Sequence, residues 1–81
     1  MKDNNNEQIK KTRIIEPEFQ AILQLYEART DMGITQKELS QRSGVRQSNI
    51  SRIERGTCSP TIRTLSELAY AMGKKLEIKI K

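Results

Sequence analysis

Gln47, Asn49 and Arg52 carry the plainest chemistry in this 81-residue chain. A glutamine or asparagine amide donates and accepts at once, matching the major-groove edge of adenine, and an arginine fork matches the two acceptors of guanine. With Ser48 and Ser51 they fall, Asn49 at the margin, on one side of a short helix whose other side is Val45, Ile50 and Ile53. Nothing apolar on the polar side asks to be buried, so the helix reads as one presented to nucleic acid. Catalysis has no comparable candidates. There is no His, no acidic pair at a catalytic spacing, no glycine-rich phosphate loop and no metal-ligand cluster. Neither an enzyme nor a resident metal or cofactor is expected. Cys58 is the single cysteine, which excludes an intrachain disulfide. Without a His to activate it, it reads as a small packed residue.

The elements that must hold this helix are marked in residues 35–56, TQKELSQRSGVRQSNISRIERG. Thr35 and Glu38 have the spacing of a capping box, and Ile34 and Leu39 that of a hydrophobic staple, so a helix starts at Thr35. It lasts about two turns and stops at Gly44. Ser40 is small enough to let the next helix cross closely. That helix runs from Arg46 or Gln47 to Arg55 and ends at Gly56. Arg46 stands at its N-cap in place of Ser, Thr or Asp. Uncapped N–H groups beside a guanidinium would suit a phosphate.

Before this unit, Pro17 suits the first position of a helix running to Met32 and ending at Gly33. Ile22, Leu25, Ala28, Arg29 and Met32 form one stripe along it, and Phe19, Leu23 and Tyr26 form a second. The second stripe exceeds what one bundle face needs. It either packs the N-terminal segment or meets a partner. After the unit, a fourth helix is capped by Ser59 with Pro60 at its first position, or by Thr61. Its buried stripe is Leu65, Leu68, Ala69 and Met72, and Gly73 ends it. The chain thus divides into an arm, 1–15, a helical domain, 16–73, and a tail, 74–81. The arm opens with an Asn-rich tract and ends in KKTRII. In the tail the period changes from 3.6 to 2: Leu76, Ile78 and Ile80 alternate with Lys75, Glu77, Lys79 and Lys81. A strand here must pair with residues 13–15 or with a second copy. The other reading is a frayed basic tail.

The charge follows the same division. The net +5 is distributed as +2 over residues 1–15, −3 over 16–34, +4 over 35–64, −1 over 65–73 and +3 over 74–81. Positive charge therefore falls on the unit with the polar helix and on both ends, as a phosphate-facing surface requires. The carboxylates at Glu16, Glu18, Glu27 and Asp31 read as a solvated helix face. No apolar run approaches the ~20 residues that span a bilayer. MKDNNNEQ is too polar for a signal peptide, so no membrane association is expected and the cytoplasm is the expected compartment. A chain this small gains from dimerisation.

Arg29 four before Gly33, then ITQKEL, the turn Gly44-Val45, NISRIERG, SPT and LSELAYAMG occur in one order across residues 20–73, about two-thirds of the chain. In this it resembles the lambda-repressor-like, Cro/XRE-type helix-turn-helix domains of bacterial and phage regulators. The resemblance implies an all-α fold, a compact bundle of four or five helices, to which a short C-terminal β-strand could be appended. It implies a homodimer on double-stranded DNA at a pseudo-palindromic operator. Carried onto this chain, it assigns base reading to Gln47, Ser48, Asn49 and Arg52 and a phosphate grip to Gln36. Arg46, Arg55 and Thr57 fall where backbone contacts are expected, and Ser51 is grouped with them. Arg46 departs from the commoner small polar cap, and Ser43 from the commoner apolar turn residue. The size, polar extension and tail resemble HigA-type antitoxins. Those neutralise a toxin protein and repress the operon both share. Phe19, Leu23 and Tyr26 are the candidate surface for such a toxin. A stand-alone phage or plasmid repressor or controller protein would look much the same.

Overall fold

The computed structural model describes residues 15–80. The expected N-terminal arm, apart from Ile15, lies outside the described residues. A single wide π-type turn, Ile15–Phe19, leads into α1, Gln20–Asp31; α2 is Gln36–Ser43, α3 Gln47–Arg55 and α4 Ile62–Ala71. Helical winding thus begins two residues before Pro17, which occupies the first turn, where its missing N–H breaks no bond. α2 packs against α3 and α4, and α1 against both of them in turn.

One apolar cluster joins all four helices. Ile22 of α1, Leu39 of α2, Ile50 and Ile53 of α3, Leu68 of α4 and Met72 at its C-cap are buried together with Ile34 and Val45 from the connections. Leu25, Ala28, Cys58 and Ala71 pack at its edge. In the α4 stripe Leu68, Ala69 and Met72 bury as their spacing predicts while Leu65 is half-buried, and Cys58 packs as expected. The α1 stripe buries only in part. Met32, the cap residue after Asp31, is 40% exposed.

The capping box forms in full. The Thr35 hydroxyl accepts from the Glu38 N–H at 3.0 Å, and the Glu38 carboxylate accepts from the Thr35 N–H at 2.8 Å. Ile34 and Leu39, the two staple residues, are both buried. The turn to α3 is closed by two serines. Ser40 donates to the Val45 carbonyl, and Ser43 accepts from the Val45 N–H at 3.1 Å. Ser43, the polar residue in an apolar turn position, thus satisfies a backbone donor. Gly44 has φ 81°, a conformation a side chain resists. α4 is capped by Thr61, whose hydroxyl accepts from the Thr64 N–H at 3.1 Å. Ser59 instead hydrogen-bonds the Glu18 carboxylate, tying the α4 entry to the start of the chain's first helical turn.

Residues 74–80 follow α4 as an irregular segment, and no strand occurs among the described residues. Ile78 and Ile80 are 57% and 95% exposed, Leu76 half-buried. The alternation alone does not make a strand, since a strand's N–H and C=O groups need a second strand. Of its two expected partners, residues 13–15 lie outside the described residues except for Ile15, and the other is a second copy.

Candidate nucleic-acid interface

The site is the outer side of α3. Ile50 and Ile53, each 1% exposed, fix the helix's rotation by burying its inner side. That rotation leaves Gln47, Ser48, Arg52 and Arg55 exposed and Ser51 half-buried between them. Positions four apart stack on one face of a helix, so these five side chains form one continuous polar surface. Arg46, also exposed, stands at its N-terminal edge.

Asn49 lies off that surface. It is half-buried, and its Oδ1 accepts from the Cys58 thiol at 3.9 Å. Its amide borders the loop after α3, so it stands at the margin of the reading face.

At the start of α3, Arg46 supplies a backbone cap and no side-chain cap. Its carbonyl accepts from the Asn49 and Ile50 N–H groups, both at 3.0 Å. The Gln47 and Ser48 N–H groups precede these bonds in the helix and point out of its end. Two outward N–H groups and the positive end of the helix thus meet where an anion is stabilised, beside the exposed residue Arg46. At the other end, the Thr57 N–H and hydroxyl both donate to the Arg52 carbonyl, at 3.0 and 3.1 Å. Thr57 therefore closes α3, and its hydroxyl proton is already engaged.

The aim of α3 depends on a residue to which the sequence motif assigns no role. Glu54 turns inward, and its carboxylate receives Arg29 in a two-pronged contact, Nε to Oε2 and Nη2 to Oε1, both 2.8 Å. The two side chains are only 12% and 8% accessible. Gln36 adds a third bond, its Nε2 donating to Glu54 Oε1 at 2.9 Å. The remaining Arg29 nitrogen, Nη1, donates to the Ile34 carbonyl at 2.9 Å. One carboxylate therefore links the end of α1, the entry to α2 and the body of α3. The hydrogen bond to Glu54, with its charge, raises the Arg29 pKa against the opposing effect of burial. The guanidinium also lies over the Tyr26 ring, 5.5 Å from its centroid.

Gln36 thus sits at the first position of α2 with one amide hydrogen held by Glu54. Its backbone N–H is free of helical partners by position, and its side chain reaches the α2–α3 boundary rather than open solvent. Arg29 and Glu54 both fall within the sequence pattern, Arg29 before Gly33 and Glu54 inside NISRIERG, but no local spacing pairs them. The available signal was a lone carboxylate between Arg52 and Arg55, directly after a core isoleucine. Phe19, Leu23 and Tyr26 lie apart from this face, on the outer side of the first helical segment. They are 38%, 36% and 45% exposed, an apolar stripe the bundle leaves uncovered.

Two short helices joined by a tight turn, the second turned polar side outward and locked by a part-buried ion pair, define a helix-turn-helix DNA-binding domain. Comparison with known proteins agrees: the helix-turn-helix family profile matches residues 25–79. The chain belongs to the Cro/XRE-type helix-turn-helix family of transcriptional regulators. It is 38% identical over 74 residues to an HTH-type transcriptional regulator of Haemophilus influenzae, a match covering 91% of this chain and 72% of that one. A second such regulator, from Sinorhizobium fredii, is 49% identical over 45 residues, 56% of this chain and 58% of its own. Among solved structures, a toxin–antitoxin module from Streptococcus pneumoniae is similar with a TM-score of 0.65 and 33% identity. That likeness covers 93% of this chain and 80% of the other. No helix among the described residues is long and apolar enough to cross a membrane.

Proposed function

We propose that this protein is a sequence-specific repressor that binds a pseudo-palindromic operator as a homodimer and serves as the antitoxin of a toxin–antitoxin pair. The observation that carries the DNA-reading part is the outer side of α3. Five polar side chains lie there opposite two fully buried isoleucines, on a helix whose rotation Glu54 and Arg29 fix. Gln47, Ser48 and Arg52 enter the major groove, Arg52 through both acceptors of a guanine, with Asn49 at the edge of the contact. Arg46, Ser51 and Arg55 hold the phosphates, Gln36 adds a contact from the start of α2, and Thr57 contributes after rearranging its hydroxyl. The protein binds rather than catalyses, works in the cytoplasm, and needs no cofactor.

The antitoxin part rests on two observations. Among the described residues the apolar stripe Phe19, Leu23 and Tyr26 stays partly exposed, and the structural likeness to a toxin–antitoxin module extends over nearly the whole chain. The stripe is the surface offered to the toxin. Expression beside the neighbouring small gene tests this: the two products co-purify, and Leu23→Asp releases the partner while operator binding persists. A protein that represses its promoter and retains no neighbour product is a stand-alone repressor. DNA reading is tested by selecting bound sequences from a random pool and measuring affinity against salt. A selection that enriches no sequence would remove the repressor reading altogether.

A further inference from the structure

α4 turns its buried side to the core through Leu68, Ala69 and Met72, yet it also leaves two large apolar side chains on its solvent side. Ile62 and Tyr70 are 62% and 83% exposed there, two turns apart, with Ser66 midway between them. Arg63 and Glu67 run alongside on a single flank, one position after Ile62 and Ser66. Together these five residues line a shallow hollow on the surface.

We propose that this face is the homodimer contact, with α4 packed antiparallel against α4 of a second copy about a two-fold axis at Ser66. The inference rests on the reading of the protein as a dimeric DNA-binding regulator and names the surface that reading leaves open. The face is self-complementary, which a two-fold interface demands. With the axis at Ser66, Ile62 of each copy opposes Tyr70 of the other, so both exposed apolar side chains are covered. The small Ser66 lets the helices approach at the centre. Charge selects the same arrangement. A two-fold axis across antiparallel helices keeps both Arg63–Glu67 rows on one flank, where each Arg63 comes beside the partner helix's Glu67. Parallel packing sends the rows to opposite flanks, where they cannot pair. For a chain of net +5, whose copies repel, two such cross-pairs favour association where like charges would oppose it.

Sedimentation of the full chain across a micromolar dilution series tests the contact. The wild type is a dimer. Glu67→Arg weakens it about tenfold, turning two attractions into two repulsions. Adding Arg63→Glu to that variant restores the dimer, because the exchanged charges again face opposites. Ile62→Ser with Tyr70→Ser gives a monomer with an unchanged helical spectrum, since both side chains are exposed. That monomer still binds an isolated half-operator and loses the cooperative step on the full one. A monomeric wild type, a dimer indifferent to Ile62→Ser with Tyr70→Ser, or a charge exchange that fails to restore would each overturn the proposal. Failure of DNA reading would show separately, as a wild-type dimer that selects no operator.

Discussion

At Glu54 one carboxylate takes three hydrogen bonds from residues of two other helices, which makes its contribution testable. Glu54→Ala leaves the part-buried Arg29 charge without its carboxylate, and such a loss costs about 1–3 kcal/mol. Urea denaturation should show a midpoint shift of that size, whereas the joint change Arg29→Met with Glu54→Met should recover most of it, because two apolar groups need no partner. Unequal recovery would mean that the pair is not the link between helices. The sign of the Arg29 shift sets its pH dependence. A raised pKa in the folded state means that its stabilisation is complete below arginine's ordinary range and lost only above it. Alkaline titration to about pH 10 should therefore leave this contribution intact. On the outer side of the same helix, Arg55→Ala should reduce the slope of log affinity against log salt by about one, at equal cost on every sequence. A change of sequence preference instead would move Arg55 from phosphate to base.

Among the elements, α2 and its turn are held by contacts within a few residues of one another, and this is the part most legible in the sequence. Thr35 and Glu38 fulfil the capping box, Ile34 and Leu39 bury as a staple, and Gly44 takes the left-handed conformation that ends the helix. Thr35→Ala should cost about 1 kcal/mol by removing one reciprocal cap. At Gly44 an added methyl group would meet nothing within 4 Å, so Gly44→Ala isolates the backbone cost of φ 81°, about 1–2 kcal/mol. Thermal melts of the two variants check both figures, and an unchanged Gly44→Ala melt would show that the turn can relax. Less local features were harder to read. Ser59 and Thr61 both have the chemistry of a cap, and only the approach of Glu18 to Ser59 separates their roles. Met32 fits the α1 periodicity yet is 40% exposed, whereas Met72, at the same cap position after α4, is buried.

For the whole molecule, the bundle and the polar side of α3 follow from periodicity and caps, because a helix's two faces are written in spacing. The Glu54 network does not follow, since Arg29 and Glu54 are 25 residues apart and no local pattern pairs them. Asn49 and Thr57 likewise have suitable chemistry for DNA but meet intramolecular partners that sequence spacing does not disclose. The tail marks another boundary: Leu76, Ile78 and Ile80 alternate as a strand does, while strand formation depends on a neighbour the local pattern does not supply. A dimer on DNA should set its two α3 helices one duplex turn, ~34 Å, apart, so the selected half-sites should be centred about 10 base pairs from each other. The central claim is that the outer side of α3 reads bases, and one measurement addresses it most directly. It is the affinity of wild type and Arg52→Ala for a selected operator and for its single-base variants. Wild type should lose about 1–3 kcal/mol at one guanine position that Arg52→Ala no longer distinguishes, with discrimination elsewhere preserved. Equal discrimination by both proteins at every position would contradict the account.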